Sequence, residues 1–320
     1  MISHLLSTKN LELNEALEIF DNARKFLEVL DRPTKKVPIL KGKLILTVFF
    51  EPSTRTRTSF EIAGKTLGAD VVNLSISQSS TKKGETIKDT CLTLNAMKPD
   101  CIVIRHSVSK IPDYITNFTS AKIVNAGDGS NEHPSQALLD AFTLLQHFGD
   151  LSGKKILILG DVLNSRVARS NIWLLKKFGA KVSLCGPSTL VREEFEKEWD
   201  VDVYWDLDEA INDADAIIVL RIQLERAASA WIPSTREYSI FYGLNTKRLV
   251  NNNKVLIMHP GPMNRGLEIS SEVADSDNAL IRKQVTNGLA IRMSIFYHLL
   301  GHKVDNIGEH LDKNTEQRGY

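Results

Sequence analysis

Cysteine is scarce in this chain of 320 residues: there are three, an odd number, without the paired spacing that holds a metal. Cys91 is expected in a helix and Cys101 and Cys185 in strands, so they read as reduced, buried small hydrophobes rather than a disulfide framework. Long apolar runs are also missing. The longest candidate, Leu44–Phe50, is strand-sized, whereas a membrane-spanning helix needs roughly 18 or more apolar residues. The opening MISHLLSTKN has neither a basic n-region nor a long apolar h-region. No secretory signal or membrane partner is therefore read, and a cytoplasmic location is expected. Neither sign of charge is in excess: 40 Lys and Arg face 39 Asp and Glu, a formal charge of +1. That balance argues against a nucleic-acid partner while leaving room for a local basic pocket. Nucleotide signatures are absent as well. The segment ILILGD resembles the start of a dinucleotide-binding unit, but Gly160-Asp161-Val162-Leu163-Asn164-Ser165 lacks G-x-G-x-x-G, and there is no P-loop. No cofactor is expected.

What is present is an ordinary globular composition, 42% hydrophobic and 25% charged, long enough for about two domains. After an amphipathic opening helix (Leu13, Leu17, Phe20, Phe26, Leu27, Leu30), strands and helices alternate. Strands are expected at Leu44–Phe50, Asp70–Leu74, Asp100–Arg105 and Lys122–Asn125, and helices at Thr54–Leu67, Glu85–Met97 and Pro112–Thr119. A long helix, Pro134–Phe148, precedes a second alternation. There, strands are expected at Lys155–Leu159, Lys181–Cys185, Val201–Tyr204, Ala216–Leu220 and Val255–Met258, with helices at Ser165–Phe178 and Thr189–Trp199. A closing helix, Ala279–Leu300, is apolar through Leu280, Val285, Leu289, Met293, Phe296 and Leu300. This pattern predicts an α/β fold of two Rossmann-like parallel-sheet domains joined by long interdomain helices. Residues 1–149 with 280–320 are expected to form one domain and 150–279 the other.

The densest chemistry lies in Phe50-Glu51-Pro52-Ser53-Thr54-Arg55-Thr56-Arg57-Thr58-Ser59-Phe60-Glu61, after a buried strand and at the opening of a helix. Free N–H groups and the positive dipole end favour an anion there. Ser53, Thr54 and Thr56 add hydroxyl donors, and Arg55 offers a bidentate fork suited to phosphate. Arg57 reads equally well as a structural salt-bridge partner. A capped helix with solvated arginines would not require hydroxyls and guanidiniums to interleave so closely.

Ser53-Thr54-Arg55-Thr56-Arg57 after a strand resembles the carbamoyl-phosphate signature of the aspartate/ornithine carbamoyltransferase family. Further matches follow in order: Lys82-Lys83-Gly84-Glu85-Thr86, Arg105-His106, Asn125-Ala126-Gly127-Asp128-Gly129, His133-Pro134-Ser135-Gln136, Ser165-Arg166-Val167-Ala168-Arg169-Ser170-Asn171, Arg221-Ile222-Gln223 and His259-Pro260-Gly261-Pro262. The segment Gln78–Glu85 resembles the mobile loop of the aspartate branch, which carries a Ser and a Lys, here Ser79 and Lys83, to a neighbouring subunit. The His-Cys-Leu-Pro motif of the ornithine branch is replaced by His259-Pro260-Gly261-Pro262. Arg166, Arg221 and Lys83 supply cations for a dianionic amino acid, whereas ornithine would need an acidic partner.

The resemblance implies transfer of the carbamoyl group of carbamoyl phosphate to the amine of L-aspartate, giving N-carbamoyl-L-aspartate and phosphate, a step of pyrimidine (UMP) biosynthesis. It assigns Thr56, Arg105 and His133 to the carbonyl oxygen, and Ser53, Thr54, Arg55, Arg105, Ser79 and Lys83 to phosphate. Gln136 and the carbonyls of Gly261 and Pro262 accept from the carbamoyl NH2 and the incoming amine, and Arg166, Arg221, Gln223 and Lys83 grip the aspartate carboxylates. Arg55, Thr56, Arg105 and His133 form the catalytic set. A homotrimer with shared active sites is expected, with regulatory chains or dihydroorotase as partners left open. No metal is expected, since Asp128, Glu132 and His133 fit the substrate motif better. One departure stands out: Asn164 occupies a position where the family often has His, which removes a titratable role there. Alternatives are an ornithine or other amino-acid carbamoyltransferase, a nucleotide-dependent dehydrogenase, and a non-enzymatic anion-binding protein.

Overall fold

The computed structural model describes residues 3–75, 85–222 and 234–301. By internal contacts the chain divides into two units, Met1–Leu6, Asn14–Asp128 and Asn287–Tyr320 in one, Ser7–Leu13 and Gly129–Thr286 in the other. The helix over 134–148, which the sequence reading places in the first domain, groups with the second unit, and the closing helix crosses the division after Thr286.

The first unit contains α1 (Leu13–Leu30), β1 (Leu44–Phe49), α2 (Thr54–Thr66), β2 (Asp70–Ser75), α3 (Ile87–Ala96), β3 (Cys101–His106), α4 (Ile111–Ile115) and β4 (Lys122–Asp128). Its four strands form a parallel sheet in the order β2-β1-β3-β4. Residue Leu5 bridges in parallel beside Val124, with Leu5 N–H donating to Ile123 O at 2.8 Å, and so extends the β4 edge. On α1 the buried stripe is Ala16, Ile19, Phe20, Ala23, Phe26 and Val29, a clean i, i+3, i+4 series. Leu13 and Leu17, expected on the apolar face, are exposed instead.

The second unit holds α5 (Pro134–Phe148), β5 (Lys155–Leu159), α6 (Arg166–Lys177), β6 (Lys181–Cys185), α7 (Glu194–Trp199), β7 (Asp202–Tyr204), α8 (Leu207–Asn212), β8 (Ala216–Val219), α9 (Thr235–Tyr242), β9 (Leu256–Met258) and α10 (Ser271–Ala274). Its strands are also all parallel, in the order β7-β6-β5-β8-β9. The helix expected over 189–199 is shorter: Leu190 and Val191 N–H both donate to Pro187 O, forming a turn, and α7 begins only at Glu194. Neither α8 nor α9 is among the expected helices, although each has a capping residue. Asp206 accepts from the N–H of Asp208 and Glu209, and Ser234 from that of Glu237.

The last helix, α11 (Ile281–Leu300), differs from the expectation of an apolar face running from its start. Val285 is in fact 67% exposed, while Gln284 and Asn287 are buried. Its later turns, in the first unit, pack Phe296 against Phe60 of α2 (ring centroids 5.6 Å apart) and Tyr297 against Phe26 of α1 (6.0 Å). Cys91, Cys101 and Cys185 are free and buried in the expected element types.

Candidate active site

In an open parallel sheet, ligands bind beyond the carboxyl ends of the strands where the strand order reverses direction. For the first sheet that point lies between β1 and β3, and both continue into expected site residues. β1 leads through Phe50, Glu51 and Pro52 to Ser53, the N-cap of α2. The Ser53 side chain makes no capping bond, so its hydroxyl does not serve the helix's own amides. Thr54 and Arg55 are exposed, Thr56 and Arg57 half-buried, and the first turn has no acidic residue. Arginines there face the positive end of the helix dipole, a placement that an anionic ligand offsets.

β3 delivers Arg105, which pairs in register with Phe49. Its Nη1 donates to Ala126 O at 3.4 Å and its Nε lies 3.5 Å from Glu51 Oε2, which fixes the guanidinium beside the α2 entry. Phe50 N–H donates to Arg105 O at 3.0 Å, closing the β1 exit against β3. The neighbouring His106 packs at a tilt against Phe50 with centroids 4.7 Å apart and accepts at Nδ1 from Val108 N–H at 2.9 Å. Burial holds its pKa below the ordinary histidine value. His106 therefore braces the site rather than acting in it.

In the second unit the reversal lies between β5 and β8. The loop after β5 reaches Ser165, which caps α6 by accepting from Ala168 N–H at 3.1 Å, and Arg166, which is buried at the first position of the helix. Asn164, the departure from the family pattern, donates to Asp161 Oδ1 from both N–H (3.2 Å) and Nδ2 (3.0 Å) and so closes the turn before Arg166. Arg221 lies just after β8, the strand paired with β5. Gly261 and Pro262 follow β9, and Gly261 N–H donates to His259 Nδ1 at 2.7 Å. His133 caps α5, with Pro134 at the first helical position. Its N–H donates to Ser170 Oγ at 2.8 Å, and Ser135 Oγ lies 3.4 Å from its Nδ1. Gln136, buried, follows on the first turn. Ser79, Lys83 and Gln223 lie outside the described residues.

Sequence reasoning named Glu132 and Arg169 within motifs but missed the contacts by which they brace the segment around His133. Glu132, just before His133, accepts from Ser7 Oγ, from Thr8 N–H and Oγ1 at 2.6 and 2.7 Å, and from Ser170 Oγ at 3.1 Å. Arg169 donates to Ser130 O and, at 3.1 Å, to Ser130 Oγ, tying the loop before His133 to α6. The signal was available in part. In Ser165-Arg166-Val167-Ala168-Arg169-Ser170-Asn171 the polar residues Arg166 and Ser170 are four apart, on one helix face.

Two family models match the chain in sequence. "Aspartate/ornithine carbamoyltransferase, carbamoyl-P binding domain" covers residues 3–146 and "Aspartate/ornithine carbamoyltransferase, Asp/Orn binding domain" covers 152–299. The chain belongs to the aspartate/ornithine carbamoyltransferase family. Among its carbamoyltransferase relatives, the aspartate carbamoyltransferase catalytic subunit of Syntrophobacter fumaroxidans is 52% identical over 300 residues, 93% of this chain and 98% of that one. The corresponding subunit of Desulfitobacterium hafniense is 50% identical over 298 residues, covering 93% and 95%. Among solved structures, the catalytic subunit of M. jannaschii aspartate transcarbamoylase aligns with a TM-score of 0.79 at 36% identity, over 96% of this chain and 100% of that one. The Trypanosoma cruzi aspartate transcarbamoylase in complex with carbamoyl phosphate and aspartate aligns at 0.84 and 27% identity, covering 93% and 97%. The two family models meet between residues 146 and 152, and internal contacts place α5 with the second unit.

Proposed function

We propose that this carbamoyltransferase transfers the carbamoyl group of carbamoyl phosphate to the amine of L-aspartate, releasing N-carbamoyl-L-aspartate and phosphate, a step of pyrimidine biosynthesis. The observation that carries the reading is the repeated placement of arginines just beyond the reversal point of each parallel sheet, Arg55 and Arg105 in one unit and Arg166 and Arg221 in the other. Two anionic substrates account for two such sets. Relatives about half identical over nearly the whole chain are named for the aspartate reaction.

Ser53, Thr54, Arg55 and Arg105 hold the phosphate, joined by Ser79 and Lys83. Thr56, Arg105 and His133 donate to the carbamoyl oxygen, where charge builds as the amine attacks, so fixed donors contribute more than a protein nucleophile would. Gln136 and the carbonyls of Gly261 and Pro262 accept from the carbamoyl NH2 and the amine. Arg166, Arg221, Gln223 and Lys83 bind the aspartate carboxylates. The tetrahedral intermediate collapses by breaking the C–O bond to phosphate, and the departing phosphate dianion takes the amine proton.

Offering aspartate and ornithine in parallel with carbamoyl phosphate tests the substrate: carbamoyl-aspartate is expected to form, and product from ornithine alone would overturn the reading. Arg166→Ala should raise the KM for aspartate about a hundredfold, the scale of a lost charge-assisted pair. His133→Ala should lower kcat, and an unchanged kcat would remove it from the catalytic set. We further propose a cytoplasmic homotrimer in which Ser79 and Lys83 complete a neighbour's site. Light scattering should then give three chains of 35.8 kDa. Mixed Arg55→Ala and Lys83→Ala chains should regain activity in hybrid rings, and hybrids that form without recovery would exclude shared sites.

A further inference from the structure

Buried polar side chains in the second unit form a connected series reaching three of the segments assigned above to substrate. At its centre is Asp140, one turn after Gln136 on α5 and fully buried. Three side-chain amides donate to its carboxylate. Gln136 Nε2 (3.0 Å) and Gln284 Nε2 (2.8 Å) reach Oδ1, and Asn171 Nδ2 (2.9 Å) reaches Oδ2. A carboxylate offers acceptors only, so chemistry fixes which end of each amide faces it. For Gln136 the NH2 is committed to Asp140, which leaves the carbonyl oxygen as the end turned away. Gln284 is pinned at its other end as well, since its oxygen accepts from His259 N–H at 2.9 Å. Asn171 Nδ2 also donates to Val167 O at 3.1 Å.

The series continues into the turn after β9. His259 Nδ1 accepts from Gly261 N–H, so the ring proton sits on Nε2, 3.2 Å from Glu268 Oε1. The same oxygen accepts from Asn264 N–H at 2.6 Å, and Asn264 Nδ2 donates to the carbonyl of Ile222, next to Arg221, at 3.2 Å.

We propose that Asp140 is a positioning residue that makes Gln136 an obligate hydrogen-bond acceptor, so that the chain selects an acyl phosphate bearing NH2 over one bearing a methyl group, while Gln284 couples this orientation to the His259–Pro262 turn. The inference rests on the reading of Gln136 as the acceptor for the carbamoyl NH2. An asparagine at this position would not serve. It presents one acceptor and one donor to three donors, two of which are already fixed by His259 N–H and Val167 O. If its oxygen faces the two glutamines, its NH2 opposes Asn171. If it turns round, its NH2 opposes Gln284 and Gln136 is free to reverse.

The test compares the KM for carbamoyl phosphate with the competitive inhibition constant of acetyl phosphate in the wild type, D140N, Q136A and the double variant D140N/Q136A. D140N is expected to cut the preference for carbamoyl over acetyl phosphate about tenfold, the scale of one hydrogen bond, with acetyl phosphate affinity changed less than twofold. In the Q136A background D140N should change the ratio no further. The swap D140N/N171D returns a carboxylate to the series: the amide introduced on α5 accepts from both glutamines and donates to the carboxylate introduced on α6. It should restore the ratio to within twofold of wild type. Equal losses for both ligands in D140N, or a swap that folds without restoring the ratio, would overturn the role of Asp140. If D140N does not fold, the swap alone decides, because a wild-type ratio with two exchanged residues requires the acceptor–donor pattern proposed. A Q136A ratio equal to wild type would instead remove the reading of Gln136, a separable result.

Discussion

Replacing Glu132 by alanine isolates the buried carboxylate behind His133. Its oxygens take protons from Ser7 Oγ, Thr8 N–H, Thr8 Oγ1 and Ser170 Oγ. Not all of these donors would be stranded. Thr8 Oγ1 keeps Ser170 O at 2.9 Å, and the Ser7 hydroxyl lies near enough to solvent, at 8% residue exposure, to find water. Thr8 N–H and the Ser170 hydroxyl proton lose their acceptor. Each buried donor left without a partner costs about 1–3 kcal/mol, so after partial relaxation the local loss should be about 3 kcal/mol. Ser170 Oγ is also the acceptor for His133 N–H at 2.8 Å, so the loss propagates to the residue that caps α5. Amide hydrogen exchange reads this directly, because a local opening free energy reduced by about 3 kcal/mol speeds exchange roughly a hundredfold. The acceleration should appear at Thr8 and His133 while amides of β5 and β8 stay protected. Glu132→Gln, which keeps one acceptor oxygen, should give a smaller acceleration at the same two amides. A change under about threefold at Thr8 and His133 would deny the bonds to Glu132, and an equal change throughout the second unit would make the effect global rather than local.

Other outcomes follow from burial and titration. Phe296, fully buried against Phe60, should cost about 3–5 kcal/mol on truncation to alanine, read from urea unfolding followed in the first unit. The thiols should be inert in the folded chain. Burial raises the pKa of Cys91 and Cys101 and pushes Cys185 up to about 12, so a disulfide reagent at about pH 8 should titrate all three only after denaturation, and rapid native labelling would contradict their placement. His106 should make stability depend on pH. Burial holds its folded pKa below the ordinary value, partly countered by Glu51, so the folded state prefers the neutral ring. Its contribution is complete above about pH 6.5 and is lost as pH falls from there through the folded pKa. His106→Gln should flatten the difference in unfolding free energy between about pH 7.5 and 5.5, and an unaltered slope would assign the dependence to other groups.

The alternation of strands and helices was legible because each strand is a short apolar run bounded by turn residues, and the parallel arrangement followed from the crossovers. Helix termini were legible where a cap stands beside a periodic stretch, as with Ser165. The expectation failed where periodicity and capping conflict. The 189–199 stretch carries apolar residues at helical spacing, but Pro187 O captures the N–H groups of Leu190 and Val191 and ends the turn early. Leu13, Leu17 and Val285 illustrate a second limit, since an apolar side chain in a helical pattern does not by itself show that its position faces the core. The arginines expected to bind substrate were legible because their motifs are local. Asp140 and Gln284 were not, since 144 residues separate two groups that become partners only through tertiary packing. The one local hint was a carboxylate in the middle of a helix buried residue by residue from Pro134 to Leu144.

If Gln136 reads the carbamoyl NH2 as proposed, specificity depends on a hydrogen-bonded series in that helix rather than on charge. A chain of net charge +1 can bind anions only by concentrating cations locally, and each unit places arginines at or after the carboxyl ends of the strands where its sheet reverses order. Charge alone recognises phosphate and carboxylate, but it does not distinguish a carbamoyl from an acetyl group, which differ by NH2 against CH3. The distinction requires an acceptor that cannot turn into a donor, and a side-chain amide meets that requirement only when its other end is committed. On a surface loop, water would leave the Gln136 amide free to rotate. In a buried helix, with Asp140 one turn on and Gln284 and Asn171 converging on the same carboxylate, the orientation is set before any substrate arrives. On the proposed reading of Gln136, the burial of α5 contributes twice, to the core of its unit and to the fixed polarity of a side chain that reads the carbamoyl NH2.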